Sequence, residues 1–139
     1  MLTKFKDIIV LKRGFDLPYH KRKNGEIPIF SSNEICGFHE EYKVKAPGVI
    51  TGRSGSIGNV LFSKDNFWPL NTTLFVSDFK NNIPKYIYYF LQTVKLENYS
   101  TGTSVPTLNR NHLDNLEFFI HSLSNQQHIV DNIRRCLFC

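Results

Sequence analysis

Val49-Ile50-Thr51-Gly52-Arg53-Ser54-Gly55-Ser56-Ile57-Gly58-Asn59-Val60-Leu61-Phe62 is the stretch on which the fold turns. Val49 to Thr51 and Asn59 to Phe62 are mostly apolar runs, and between them lies the glycine-rich segment Gly52 to Gly58. That order predicts strand, tight loop, strand. A phosphate-cradling loop would need Gly-Lys-Ser/Thr leading into a helix, but a strand follows here. The G-x-G-x-x-G spacing of a dinucleotide site is also absent. The glycines are read as permitting positive φ and close backbone approach. Arg53, flanked by hydroxyls, offers donors to a DNA phosphate or a guanine edge, with a purely structural turn as the alternative.

Upstream, the chain reads as further short strands. Ile8 to Leu11 is largely β-branched, and Ile27-Pro28-Ile29-Phe30 is placed at a sheet edge because Pro28 cannot donate to a ladder. Downstream, Thr73 to Val76 is another strand, and then the hydrophobic period changes. Pro84 suits a first helical turn, with Tyr86, Ile87, Phe90, Leu91 and Val94 recurring at helical spacing. Tyr88 and Tyr89 on that helix are expected to pack, not to stack on bases. A loop from Ser100 to Asn111 leads to a strand at Leu116 to Ile120. Ser124 with Gln127 reads as a capping box opening a last helix, whose apolar stripe is Ile129, Val130, Ile133 and Leu137. Nothing remaining in the sequence is expected to cover that stripe, which points to a partner helix. Strands first and helices late give an α+β domain over residues 1–123, with the start of a spacer or dimerisation helix at 124–139.

Composition narrows the class. The chain has 139 residues, enough for one domain and too few for two. Hydrophobic residues make up 41%, with 12 Phe and 6 Tyr, which places it among folded globular chains. No apolar run approaches the roughly 20 residues of a membrane span. The N-terminus lacks a secretory apolar stretch, so a cytoplasmic location is expected. Net charge is +5, and residues 1–70 carry eleven Lys or Arg against seven acids, leaving six against five. The densest runs are Lys12-Arg13 and Lys21-Arg22-Lys23. A basic bias of this kind suits a polyanion, or simply a soluble surface.

Catalytic patterns are weak. Cys36, Cys136 and Cys139 form no disulfide framework, and a zinc site would have to recruit Cys36 and His39 to the terminal pair near His121 and His128, which reads as accident. The Asn/Asp-Pro-Pro-aromatic tetrad of amino-methyltransferases is missing, as is a G-x-S-x-G elbow. Asp16 with Glu41 and Lys43 can be arranged as a metal-dependent nuclease triad, the alternative from the enzyme class.

Several stretches, taken in order, carry a family resemblance. They are Gly14-Phe15-Asp16-Leu17-Pro18, Gly25 to Asn33, Val49 to Gly58, Phe67-Trp68-Pro69-Leu70-Asn71-Thr72-Thr73-Leu74, Ser104 to Arg110, and Gln126-Gln127. Across nearly the whole chain they resemble the target-recognition domain of type I restriction-modification specificity subunits. The resemblance implies an α+β domain docked on one half of a split DNA site and followed by a long helix. Two such units pack their helices antiparallel and set the half-site spacing. It further implies partner methyltransferase subunits that use S-adenosylmethionine to methylate adenine, with a nuclease-translocase recruited later. No catalysis and no cofactor are expected in this chain itself.

The same resemblance places base and backbone reading on loops: Arg53, Ser54 and Ser56; Asn71, Thr72 and Thr73; Thr103, Ser104, Asn109 and Arg110. Lys21, Arg22 and Lys23 are assigned to phosphates, which position without specifying. Phe67, Trp68 and Pro106 are expected in the core. The chain departs from the pattern in two ways. His121-Ser122-Leu123 stands where the family has Pro, and one domain stands where a complete subunit has two. The second departure suggests a half-subunit, a disrupted gene product or a trimmed chain, with pairing to a second copy through Ile129, Val130, Ile133 and Leu137. A truncated remnant that binds only protein is a further alternative.

Overall fold

The computed structural model describes residues 1–54, 57–101 and 107–138, with backbone alone for Ser100, Thr101, Thr107, Arg110 and 136–138. In chain order the elements begin with β1 (Leu2–Lys4), α1 (Phe5–Ile8), β2 (Val10–Arg13), β3 (Ile27–Phe30), β4 (Ile35–His39), β5 (Gly48–Gly52), β6 (Val60–Ser63), β7 (Trp68–Pro69) and β8 (Thr73–Asp78). They continue with α2 (Pro84–Val94), β9 (Ser100–Thr101), β10 (Thr107–Leu108), β11 (Glu117–Phe119) and α3 (Leu123–Phe138). This is the α+β class expected.

The decisive stretch folds as read. β5 and β6 pair antiparallel from Gly48↔Ser63 to Thr51↔Val60, and Gly58 takes φ 104° in the loop between them. They belong to a four-stranded sheet in the order β2-β8-β5-β6. β5 is buried along its whole length because the sheet is covered on both faces. Val49, Leu74 and Val76 face α2 and meet Ile87, Leu91 and Val94. Ile50 and Phe75 face the other way and meet Phe30 and Phe67 of the second sheet side. Burial on both faces explains why these strands read as continuous apolar runs rather than alternating ones.

The second sheet runs β4-β3-β7, so β3 is central and the edge placement of Ile27 to Phe30 is corrected. Its Pro28 is tolerated because β7 pairs only with Ile29 and Phe30, so Pro28 lies just beyond the end of that ladder. The expected strand Ile8 to Leu11 is also revised. Phe5, Ile8 and Ile9 all enter the core through one short helical turn, and the strand starts at Val10 with a register shift beside Leu11. β1 pairs with β11 at the far end of the sequence, which no local pattern announces.

The closing helix begins at Leu123, one residue before the expected cap. Ser122, not Ser124, caps it: the Asn125 N–H points to Ser122 Oγ at 3.5 Å, and Gln126 N–H reaches the Ser122 carbonyl at 2.8 Å. Gln127 bonds Asp131 at 2.9 Å instead of reaching back. The turn at His121, where the family pattern has Pro, is held by Tyr86. Its hydroxyl lies 2.8 Å from His121 Nδ1 and accepts the His121 N–H at 3.2 Å. Buried Gln126 completes the lock. Its Oε1 accepts the Ile83 N–H, and its Nε2 donates to Asn82 Oδ1 and to the His121 carbonyl. Ile129 and Val130 pack on the domain's own core, so the expectation of an uncovered stripe is corrected at those positions. Ile133 is half-buried, and the Leu137 side chain lies outside the described residues.

Candidate nucleic-acid interface

At the end of β2 the chain must pass hard against the segment that follows β7. Gly14 makes this approach feasible, because a Cβ there would overlap the Pro69 and Leu70 carbonyls. The Gly14 N–H donates to the Thr73 carbonyl at 3.0 Å and the Phe15 N–H to the Pro69 carbonyl at 2.8 Å. Trp68 Nε1 donates to the Phe15 carbonyl at 3.1 Å. Residues 13–16 and 68–71 are thereby cross-braced, and between them opens a cleft of about 540 Å³ lined by Arg13, Phe15, Asp16, Lys43, Trp68 and Asn71.

Arg53 forms the adjoining wall. Its N–H and that of Ser54 both point to the Thr72 carbonyl, at 2.8 and 3.3 Å, while its Nε donates to the Asn71 carbonyl at 3.0 Å. One guanidinium nitrogen thus fixes the side chain, and among the described residues the rest of the fork makes no further hydrogen bond. Burial, followed by the neighbouring Arg13 charge, lowers the Arg53 pKa from its ordinary value. Lys43 Nζ stands 5.0 Å from the Trp68 ring centroid and 5.6 Å from that of Phe15. Among the described residues, Arg13, Arg53 and Lys43 form no ion pair. An anion or a set of hydrogen-bond acceptors would relieve this crowded positive charge.

The second basic group is a short turn at Tyr19–Lys21 and the residues after it. Lys21 is exposed. Arg22 stacks on Tyr19, 4.1 Å from the ring centroid, and its Nε donates to the Leu17 carbonyl at 3.1 Å. Lys23 lies 3.8 Å from Glu40, and its N–H donates to His39 Nδ1 at 3.0 Å. The His39 ring in turn meets Trp68 edge-on at 5.3 Å, which ties the turn to the floor of the cleft.

The structure thus brings together Arg53, Ser54, Asn71 and Thr72. It removes Thr73, which is fully buried with its hydroxyl donating to the Leu70 carbonyl at 2.7 Å. Asn109 is exposed and uses Oδ1 to accept the Asn111 N–H at 3.0 Å. Ser56, Thr103 and Ser104 lie outside the described residues, as do Pro106 and the Arg110 side chain. Phe67 and Trp68 are core residues as expected, and Tyr88 packs against the core.

Sequence reading noted Arg13 only as part of a charge run and Asp16 and Lys43 only as nuclease parts, and did not anticipate that the three line one cleft. The usable signal was Gly14: a glycine between a strand and an aromatic marks a close backbone approach, here the one that builds the cleft wall. Asp16 and Glu41 are both exposed, and no group of three or more His, Cys, Asp or Glu able to hold a metal occurs among the described residues. His39 is buried and engaged, and Cys36 is exposed on β4, so neither supports the zinc reading. No helix among the described residues is long and apolar enough to cross a membrane.

The fold recurs in solved structures. The S subunit of a type I restriction-modification system from M. genitalium superposes with TM-score 0.82 at 20% identity, covering 96% of this chain and 38% of that one. The HsdS subunit from Thermoanaerobacter tengcongensis gives TM-score 0.70 at 10% identity, over 97% of this chain and 36% of that one. A structure of a type I R-M assembly gives 0.75 at 10% identity, over 99% and 38%. This chain therefore spans well under half the length of the chains it resembles. No curated protein sequence matches it significantly. The family model for the type I restriction modification DNA specificity domain matches residues 2–136, and the chain belongs to that family.

Proposed function

We propose that this domain docks on duplex DNA and reads its sequence on behalf of a DNA adenine methyltransferase assembly. The carrying observation is the braced cleft lined by Arg13, Lys43 and Asn71, with Arg53 tied to the Asn71 carbonyl beside it; among the described residues none of the three cations forms an ion pair. Guanidinium and amide groups carried on a braced backbone suit base edges, since Arg matches the paired acceptors of guanine and Asn the donor and acceptor of adenine. Lys21 and Arg22, on the more exposed turn, take phosphates.

The chemistry belongs to partners in this reading. The domain supplies position and sequence choice, while methyltransferase subunits bind S-adenosylmethionine and transfer the methyl group. The outer part of α3, from Ile133 onward, meets a second domain of the same kind, either in a longer chain or in a second copy. Residues 1–123 act as the reader and 124–139 as the start of the spacer.

Selection of bound duplexes from a random pool, with and without a methyltransferase subunit, tests this directly. A recurring base pattern is expected, sharper with the partner present. Recovery of unselected sequence in both arms would refute it.

A further inference from the structure

The cleft contains one group that a phosphate site would not. Asp16 sits on its wall with an exposed carboxylate, and among the described residues it makes no ion pair with Arg13 or Lys43, which line the same cleft. Its backbone is fixed. The preceding Phe15 is bonded through both its N–H and its carbonyl to the Trp68–Pro69 segment, and it bridges Leu70 in parallel. The carboxylate is therefore presented from a braced wall and not from a free loop.

A carboxylate in that place weakens attraction to a polyanion, because phosphate oxygens only accept hydrogen bonds and carry like charge. Base edges differ: in the major groove cytosine N4 and adenine N6 each offer an amino donor. Resting on the DNA-reading function proposed above, we infer that Asp16 is a specificity-determining residue that accepts a hydrogen bond from one exocyclic amino group, cytosine N4 or adenine N6. The cationic neighbours then serve two ends. Arg13 and Asn71 address adjoining base edges, and Lys43, held over Trp68 and Phe15, keeps the local charge favourable for DNA despite the acid. The mixture of an acceptor with several donors on one rigid frame is what separates a base-reading cleft from a phosphate clamp.

The test compares the wild-type chain with Asp16→Ala and Asp16→Asn on its selected duplex and on every single-base-pair variant of that duplex. Thermal melts run alongside, and they are expected to be unchanged because Asp16 is exposed and unpaired. Wild type should discriminate at one base pair by roughly tenfold or more through this residue. Asp16→Ala should flatten that single preference to within about twofold while other positions keep theirs, and Asp16→Asn should shift it toward adenine. If both variants keep every wild-type preference and bind all duplexes more tightly, Asp16 is only a repelling charge and the inference falls. If they lose all sequences equally at unchanged melting temperature, it falls as well. If wild type itself shows no preference among duplexes, the DNA-reading function is what fails, and the inference fails with it.

Discussion

Two groups of positive charge lie on this domain, and their surroundings differ. Lys21, Arg22 and Lys23 occupy an exposed turn, where Lys23 already has Glu40 as a partner and Arg22 leans on the open face of Tyr19. Arg13 and Lys43 line a cleft whose two walls are tied by hydrogen bonds between residues 14–15 and 68–73, and Arg53 adjoins it through the Asn71 carbonyl. Both groups would attract DNA. Arg22 is held by its Nε bond to the Leu17 carbonyl much as Arg53 is held by Asn71, so the difference lies elsewhere. Only the cleft sets donors beside an acceptor, Asp16, that makes no ion pair among the described residues. Base edges, unlike phosphates, can use both. Net charge suits a polyanion or simply a soluble surface, and the braced backbone singles out the cleft as the proposed place where bases are read.

Gly14→Ala should have the largest effect. The added methyl meets the Pro69 and Leu70 carbonyls, and neither is a flexible side-chain end that could move aside. A loss of about 2–3 kcal/mol of stability is expected, measured by denaturant midpoint. Discrimination among duplexes should vanish at temperatures where the variant is still folded, while salt-dependent binding through the turn persists. Retained discrimination would mean that the cleft does not read.

Arg53→Ala follows. It should cost about 1–3 kcal/mol on the preferred duplex and relax preference at one base pair. Loss of the Nε bond to the Asn71 carbonyl removes about 1 kcal/mol of stability as well. A lower melting temperature with equal loss on every sequence would reduce Arg53 to a brace. Arg22→Ala is the contrasting case: all sequences should weaken alike, and the slope of log K against log salt should become less negative by about 0.9. The smallest effect belongs to Lys23→Ala. Its ion pair with Glu40 is exposed, so the folded domain should change by less than about 0.5 kcal/mol in a thermal melt.

The parts of this molecule that were legible beforehand share one property: they depend on neighbours in sequence. The β5–loop–β6 unit, the helix at Pro84–Val94 and the burial of Phe67 and Trp68 follow from hydrophobic runs, glycine and proline. The misses are contacts between distant segments. β1 finds β11 across the whole chain, and β3 becomes central only because β7 arrives from residue 68. Gln126 was visible as part of a motif, yet its function as a buried clasp on Ile83 and Asn82 needs two segments 43 to 44 residues apart to meet. The site divides the same way. Arg53 and Asn71 were candidates because the family resemblance places base reading on polar loops, whereas Asp16 and Arg13 are seen beside Asn71 only once the Gly14 approach is seen in space.

If the cleft reads bases, the domain carries sequence information by itself. The most direct test is competition, at one fixed salt concentration, between the selected duplex and a permuted duplex of the same length and base composition. Several mismatched base pairs at about 1–3 kcal/mol each should give the selected duplex at least a roughly tenfold advantage. Equal affinities for the two duplexes would contradict the account, leaving only phosphate attraction.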